Sequence, residues 1–253
     1  MSSKQNLGLI SRTTDQYPVS ANVLETTRTS MMTPTDTAYG ELYSAYASGS
    51  LDAAFSLLVE TQAALKEDVA NDVAVSELIA GDMLEMAEPA ELSDDALAAV
   101  FEAIDAAEQS PIVHRAAVAA CADQLGDISM FPEPVLEHAV DAVVETGWSQ
   151  LTQGVRRLTL DLGTDSEVEI YRIEPNQMVP RHTHEGSELT LVMAGGFTDE
   201  TGSYGPGDLS IQGPNDTHQP TADDDGVCYT LAVRDGGLRF TGLLGVVQRL
   251  IGR

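Results

Sequence analysis

The chain has 253 residues and sets forty acidic side chains against thirteen lysines and arginines, for a formal net charge of −27. A surface of that sign repels phosphate backbones and anionic lipid headgroups, so direct nucleic-acid binding and attachment to an anionic membrane are excluded. No stretch approaches the ~20 apolar residues of a spanning helix, and the sequence reads as a soluble, cytoplasmic protein.

Other features agree with that placement. The first thirty residues lack the basic-then-apolar order of a secretory signal. Cys121 and Cys228 stand far apart in no CxxC pattern, as expected of buried thiols in a reducing compartment. The acidity is uneven. Residues 41–110 carry sixteen acids with Lys66 as their sole base, whereas residues 151–253 set fifteen acids against eight arginines. A solvated surface suited to a salty cytoplasm explains the excess, and so does a docking face for a basic partner.

Residues 1–36 are rich in Ser and Thr without apolar periodicity, and read as a disordered tail. The Met31-Met32 pair leaves the translational start open. Residues 37–110 read as a helical domain. A first helix, ELYSAYASG, ends at Gly49, and Ser50 stands as N-cap to the next, which carries Leu51, Phe55, Leu58, Val59 and Leu65. A third places Val73, Ile79, Met83 and Met86 on one side before Pro89 stops it. In LSDDALAAVFEAID, Ser93 stands as N-cap and Leu97, Val100, Phe101 and Ile104 form an i, i+3, i+4, i+7 stripe. These stripes are expected to form internal core. Residues 111–147 form a helical linker region, with helical stretches near 112–125 and 133–146.

Near Trp148 the apolar period changes from 3.6 to 2. VRRLTLDL, SEVEIYRIE, SELTLVMAG, GDLSIQ and GVCYTLAV, between residues 155 and 233, read as strands separated by Gly, Pro, Asn and Asp clusters. Residues 148–253 are thus expected to be an all-β domain, a sandwich or barrel.

Two of the five histidines lie within PRHTHEGSE at 180–188. On a strand, His182 and His184 point to one face, and Glu188 can turn its carboxylate to the same place. Two imidazoles and a carboxylate suit Zn, Fe, Mn, Ni or Cu. Gly195 follows Glu188 by seven residues, and His218 follows it by thirty within GDLSIQGPNDTH. This HxHxxxExxxxxxG segment, followed by a GD-strand-turn-His segment, resembles the two motifs of the cupins, jelly-roll barrels (double-stranded β-helices) that hold a metal inside. The resemblance implies His182, His184, Glu188 and His218 as ligands to one divalent metal, with zinc the first choice and iron, manganese or nickel as alternatives. The last turn reads GPN at 213–215 where cupins carry PxG, and Asn215 is expected to supply the left-handed conformation.

More narrowly, WSQLTQGVRRLTL, VPRHTHEGSELTLVMAGGFTDETGSYGPGDLSI and LRFTGLLGVVQRLIG are similar to the cupin half of ChrR-type anti-sigma factors. YSAYASGSLDAAFSLLVETQAAL and ELSDDALAAVFEAID are similar to their helical half. That resemblance implies a helical domain that binds an extracytoplasmic-function sigma factor and a cupin that senses oxidative stress or a ligand. The family's helical domain holds a structural zinc through a His-xxx-Cys-xx-Cys stretch. The matching positions here are Gln62, Lys66 and Val69, which cannot hold it. His114 and His138 read as ordinary helix residues, and Arg181 as a surface arginine.

Two other functions fit the motif. One is a metal-dependent cupin enzyme, a dioxygenase or isomerase, with Arg181 as anchor for an anionic substrate and a helical oligomerisation domain. The other is a homo-oligomeric cupin whose helices only mediate assembly. In any of these readings the cupin can hold a small-molecule ligand.

Overall fold

The computed structural model describes residues 34–108, 126, 128–236 and 238–240. Among these, five helices precede and flank twelve strands: α1 (Pro34–Ala47), α2 (Ala53–Leu65), α3 (Glu67–Glu85), α4 (Ala96–Glu108) and α5 (Glu133–Glu145). The expected order of a helical half followed by an all-β cupin half is the order observed. Residues 1–33, Cys121 and His114 lie outside the described residues. Helix α1 starts at Pro34, inside the expected tail.

The helix ends follow local chemistry, with one correction. Gly49, at φ +68°, takes the left-handed turn that closes α1. Ser50 does not cap α2. Its hydroxyl turns back to the Ala45 carbonyl, and the cap is Asp52, whose carboxylate accepts from the Phe55 amide at 3.0 Å. Helices α1, α2 and α3 pack together around Tyr43, Val59, Val69 and Val73.

All five expected strands form: β2 (Val155–Leu160), β3 (Glu167–Ile173), β5 (Glu188–Ala194), β8 (Leu209–Gln212) and β11 (Cys228–Arg234). With β1 (Ser149–Thr152) they make a six-stranded antiparallel sheet in the order β1-β2-β3-β11-β5-β8. Shorter strands close the other side. One layer is β10 (Thr221–Ala222), β6 (Phe197–Thr198) and β7 (Ser203–Tyr204); the other is β12 (Leu238–Phe240), β4 (His182–His184) and β9 (Thr217–His218), each in the spatial order given.

The large sheet is covered on both faces, and its alternation sorts the side chains. Val168 and Ile170 of β3, Leu189, Leu191 and Met193 of β5, and Tyr229, Leu231 and Val233 of β11 join Ala54, Leu57, Leu58, Val135, Ala139 and Val143 of α2 and α5 in one core. The alternate residues, including Tyr171, Ile173, Val192, Cys228 and Ala232, face the barrel interior. Burial pushes the Cys228 thiol up to about 12, so it stays protonated and unreactive, as its sequence context suggests.

Polar contacts reinforce this junction. The Tyr39 hydroxyl donates to the Leu209 carbonyl at 3.0 Å, the Gln62 amide donates to the Gly207 carbonyl at 3.1 Å, and Lys66 pairs with Asp208 at 2.6 Å. Gln62 also accepts from the Tyr43 hydroxyl, and Val69 is buried in the helical core. The three positions where the resemblance implies zinc ligands therefore present an amide, an ammonium and an isopropyl group. They do not fit the metal, and two of them tie the helices to the barrel.

Candidate metal centre

Strand β4 places His182 and His184 on one face of the barrel interior, with both side chains at most 3 % exposed. β9 runs antiparallel to β4 with His182 opposite His218, which brings the third imidazole in from the next strand. Glu188 opens β5 on the facing sheet, and its position in the alternation points it inward with Thr190 and Val192. The tight corner after β5 uses Gly195, at φ +69°, where a Cβ would strike the Val227 carbonyl. The four residues expected from the sequence therefore come together, all buried, with one donor atom from each lying within 4.8 Å of the others.

The donor atoms converge closely enough that they could hold one ion. His218 Nε2 lies 2.9 Å from His182 Nε2 and 3.2 Å from His184 Nε2, and Glu188 Oε1 lies 3.5 Å from His218 Nε2. A neutral imidazole has one N–H and one lone pair. Three such rings meeting at their Nε2 atoms cannot satisfy one another by hydrogen bonds alone. His184 Nδ1 is buried without a hydrogen-bond partner. Three nitrogens and a carboxylate oxygen are a donor set suited to zinc and to other first-row divalent ions.

The outer nitrogens of His182 and His218 are fixed by acceptors, as is usual for metal-binding histidines. His182 Nδ1 lies 2.8 Å from the Pro180 carbonyl, and His218 Nδ1 lies 2.9 Å from Asp199 Oδ2. Asp199 is in turn held by the Thr201 amide and hydroxyl and the Gly202 amide. Burial pushes His184 down to about 4, so it is a neutral donor. Burial would also lower His218, but Glu188 and Asp199 outweigh it and raise its pKa, and the same negative surroundings favour a cation. Burial alone would raise Glu188; the imidazoles of His182 and His218 and the charge of Arg234 hold it well below the usual carboxylate range.

Sequence reasoning missed Asp199, Thr190 and Arg234. Thr190 donates to Glu188 Oε1 at 3.1 Å and Arg234 to Glu188 Oε2 at 3.1 Å. The available signal was a charged residue closing the otherwise apolar strand CYTLAVR. Asn215 does not adopt the expected conformation. Among the described residues the non-glycine with positive φ is Asn176, and the turn before His218 is instead closed by Asp216, which accepts from the Gly213 amide at 2.7 Å. Arg181 is half exposed and pairs with Glu200 at 2.5 Å, and His138 lies half-buried on α5.

A second surface corrects an expectation. Val69 and Val73 of α3 are buried, but Leu78, Ile79, Met83, Leu84 and Met86 are exposed, and so are Leu97, Val100, Phe101 and Ile104 of α4 at 48–68 %. The α2 stripe packs in the core as expected, but past Val73 the α3 and α4 stripes face outward and are not core. Residues 67–108 hold thirteen acids and no base. Large apolar side chains in an acidic frame form a surface of the kind that binds proteins. No helix among the described residues is long and apolar enough to cross a membrane.

Residues 137–235 match the model of the ChrR cupin-like domain. The anti-sigma-E factor ChrR of Cereibacter sphaeroides is 34% identical over 203 residues, covering 80% of this chain and 91% of that protein. The crystal structure of Rhodobacter sphaeroides SigE in complex with the anti-sigma ChrR matches with a TM-score of 0.60 and 29% identity, over 78% of this chain and 96% of the matched one. That likeness spans the helices as well as the barrel, and this chain belongs to the ChrR family of anti-sigma factors.

Proposed function

We propose that this protein is an anti-sigma factor that binds an extracytoplasmic-function sigma factor through residues 37–110 and senses oxidative stress through a metal-bearing cupin at residues 148–253. Residues 111–147 connect the two. The observation that carries the reading is the exposed apolar stripe of α3 and α4 inside a run of thirteen acids. A sigma factor must present basic surface to DNA, and an acidic, apolar-centred face suits occluding it. The relatives support the same partner, since the matched structure is a complex of ChrR with SigE.

In the barrel, His182, His184, Glu188 and His218 would hold one divalent ion, with zinc the first choice for three nitrogens and one oxygen. Such an ion would supply positive charge where three imidazole lone pairs and a carboxylate converge, and would tie β4, β5 and β9 together. The protein's own part is to fix those donors. The backbone carbonyl of Pro180 and the carboxylate of Asp199 set which nitrogen of His182 and His218 faces inward. The barrel interior beside Glu188 favours sensing over turnover of an organic substrate. Its cavity, lined by Tyr171, Val179, His182, Thr190 and Phe197 among others, measures about 20 Å³, room for about one water molecule. A single water molecule fits there, and an organic substrate does not.

The test is co-purification and calorimetry of the full chain with the extracytoplasmic-function sigma factors encoded beside its gene. A complex with one of them, released by singlet oxygen or peroxide, is the expected result. Absence of any complex, together with oxygen-consuming turnover of an added substrate, would overturn it in favour of an enzyme.

A further inference from the structure

Behind the four converging side chains lies a second set of buried charges. Strands β3, β11 and β5 are neighbours, and their register sets Arg234 directly between Glu167 and Glu188. Arg234 is 2% exposed, Glu169 5% and Tyr171 6%. A guanidinium buried without partners is strongly destabilising, and here its donors are occupied. Nη1 donates to Glu188 Oε2 at 3.1 Å, Nη2 to Glu169 Oε2 at 2.6 Å, and Nε and Nη2 to Glu167 Oε2 at 3.3 and 3.2 Å. Glu169 is itself pinned, by the Tyr171 hydroxyl at 2.5 Å and by Arg157 at 3.0 Å.

The consequence falls on Glu188. Its Oε2 carries the Arg234 hydrogen bond and lies 3.7 Å from His184 Nδ1, while its Oε1 is the atom 3.5 Å from His218 Nε2 and 4.0 Å from His182 Nε2. We propose that Arg234 is the positioning residue of the metal centre, clamping Oε2 of Glu188 so that Oε1 is aimed between His182 and His218. This rests on the reading that the four side chains hold a metal.

Charge supports the assignment. Arg157 and Arg234 face Glu169 and Glu188, two of each sign, and Glu167 is more than half exposed, so water screens it. Glu188 is held by hydrogen bonds on both oxygens, Oε2 from Arg234 and Oε1 from Thr190, which fix the plane of its carboxylate. A planar fork is needed to reach Glu188 and Glu169 together, a task an ammonium does not perform.

Arg234→Met in the full-length protein tests this, with the exposed Arg156→Ala as control. Zinc affinity is read by competition with a chromophoric chelator, and ligand number by the visible spectrum of the cobalt-loaded protein. The expected result is zinc binding weakened roughly 10- to 100-fold, the usual range for outer partners of metal ligands. Weaker visible bands are also expected, as the freed oxygen joins the cobalt. Tyr171→Phe, which removes the hydrogen bond to Glu169 and the one accepted from Arg234 Nη1 and leaves every charge in place, shifts both readouts the same way by less. It serves if Arg234→Met does not fold. Unchanged affinity and spectrum in the variant that folds, even with lowered resistance to denaturant, overturns the proposal. Wild-type protein that takes up no metal overturns the underlying metal reading along with it.

Discussion

At the scale of single residues, His218 shows how the centre is held from both ends. One ring nitrogen meets the imidazoles of His182 and His184, and the other meets Asp199, whose side chain has no exposure to solvent. Asp199→Ala frees the ring to rotate and should weaken metal binding roughly 10- to 100-fold, whereas His184→Ala should abolish it. Elemental mass spectrometry on protein purified without added metal reads both, and full metal content in His184→Ala would remove that residue from the ligand set. The same His184 variant should keep its sigma factor, because the α3–α4 surface is built from other residues. His182, His184 and Glu188 were legible because their spacing has local meaning, i and i+2 on a strand and a carboxylate at the start of the next, whereas His218 was legible only through the resemblance to the second cupin motif. Asp199 and Arg234 were not. The first reaches His218 across nineteen residues and the second reaches Glu188 across forty-six, and strand order alone brings them there.

At the scale of elements, the helical periods were legible and their covering was not. Leu97, Val100, Phe101 and Ile104 have the spacing of a buried stripe, and periodicity carries no information on whether the cover belongs to the same chain. The strands were easier to read, because a sheet buried on both faces gives near-continuous apolar runs such as LTLVMA and CYTLAV bounded by turn residues. The two- and three-residue strands that close the barrel are too short to carry a period. An exposed stripe makes a direct prediction. Leu97→Asp with Phe101→Asp replaces two largely exposed side chains, so unfolding free energy should change by no more than about 0.5 kcal/mol per substitution, as at ordinary surface positions. Sigma-factor affinity should fall at least tenfold by calorimetry. Large destabilisation without loss of affinity would show that the stripe packs within the chain.

At the scale of the whole molecule, the question is how a change at Glu188 reaches α3 and α4. Strand β8 is the physical link: its residues Leu209–Gln212 pair with Glu188–Leu191 of β5, and the turn leading into it holds α1 and α2. Two contacts there differ in strength. Lys66 and Asp208 are each about a third or more exposed, so their ion pair contributes no more than about 1 kcal/mol. Burial would raise the Asp208 pKa, but the hydrogen bonds from Lys66 and the Gly205 amide and the charge of Lys66 outweigh it and lower it. With the folded value below the unfolded one, that contribution is present above about pH 4, the ordinary aspartate value, and is lost as pH falls through the lower folded value. It is constant between pH 6 and 8. Gln62 is 2% exposed and serves Tyr43 and Gly207 at once, so Gln62→Ala leaves two buried groups unsatisfied at about 1–3 kcal/mol each. Urea denaturation at pH 7 should therefore show Gln62→Ala well below Lys66→Ala in stability, and acid titration should remove only the small Lys66 effect. If β8 transmits the state of the centre, chelation of the metal should raise amide exchange first across Leu209–Gln212 and then along α2, with Gln62→Ala uncoupling the second from the first. Exchange that rises only around His182–Glu188 would confine the metal's influence to the barrel and would require another route to the sigma-binding face.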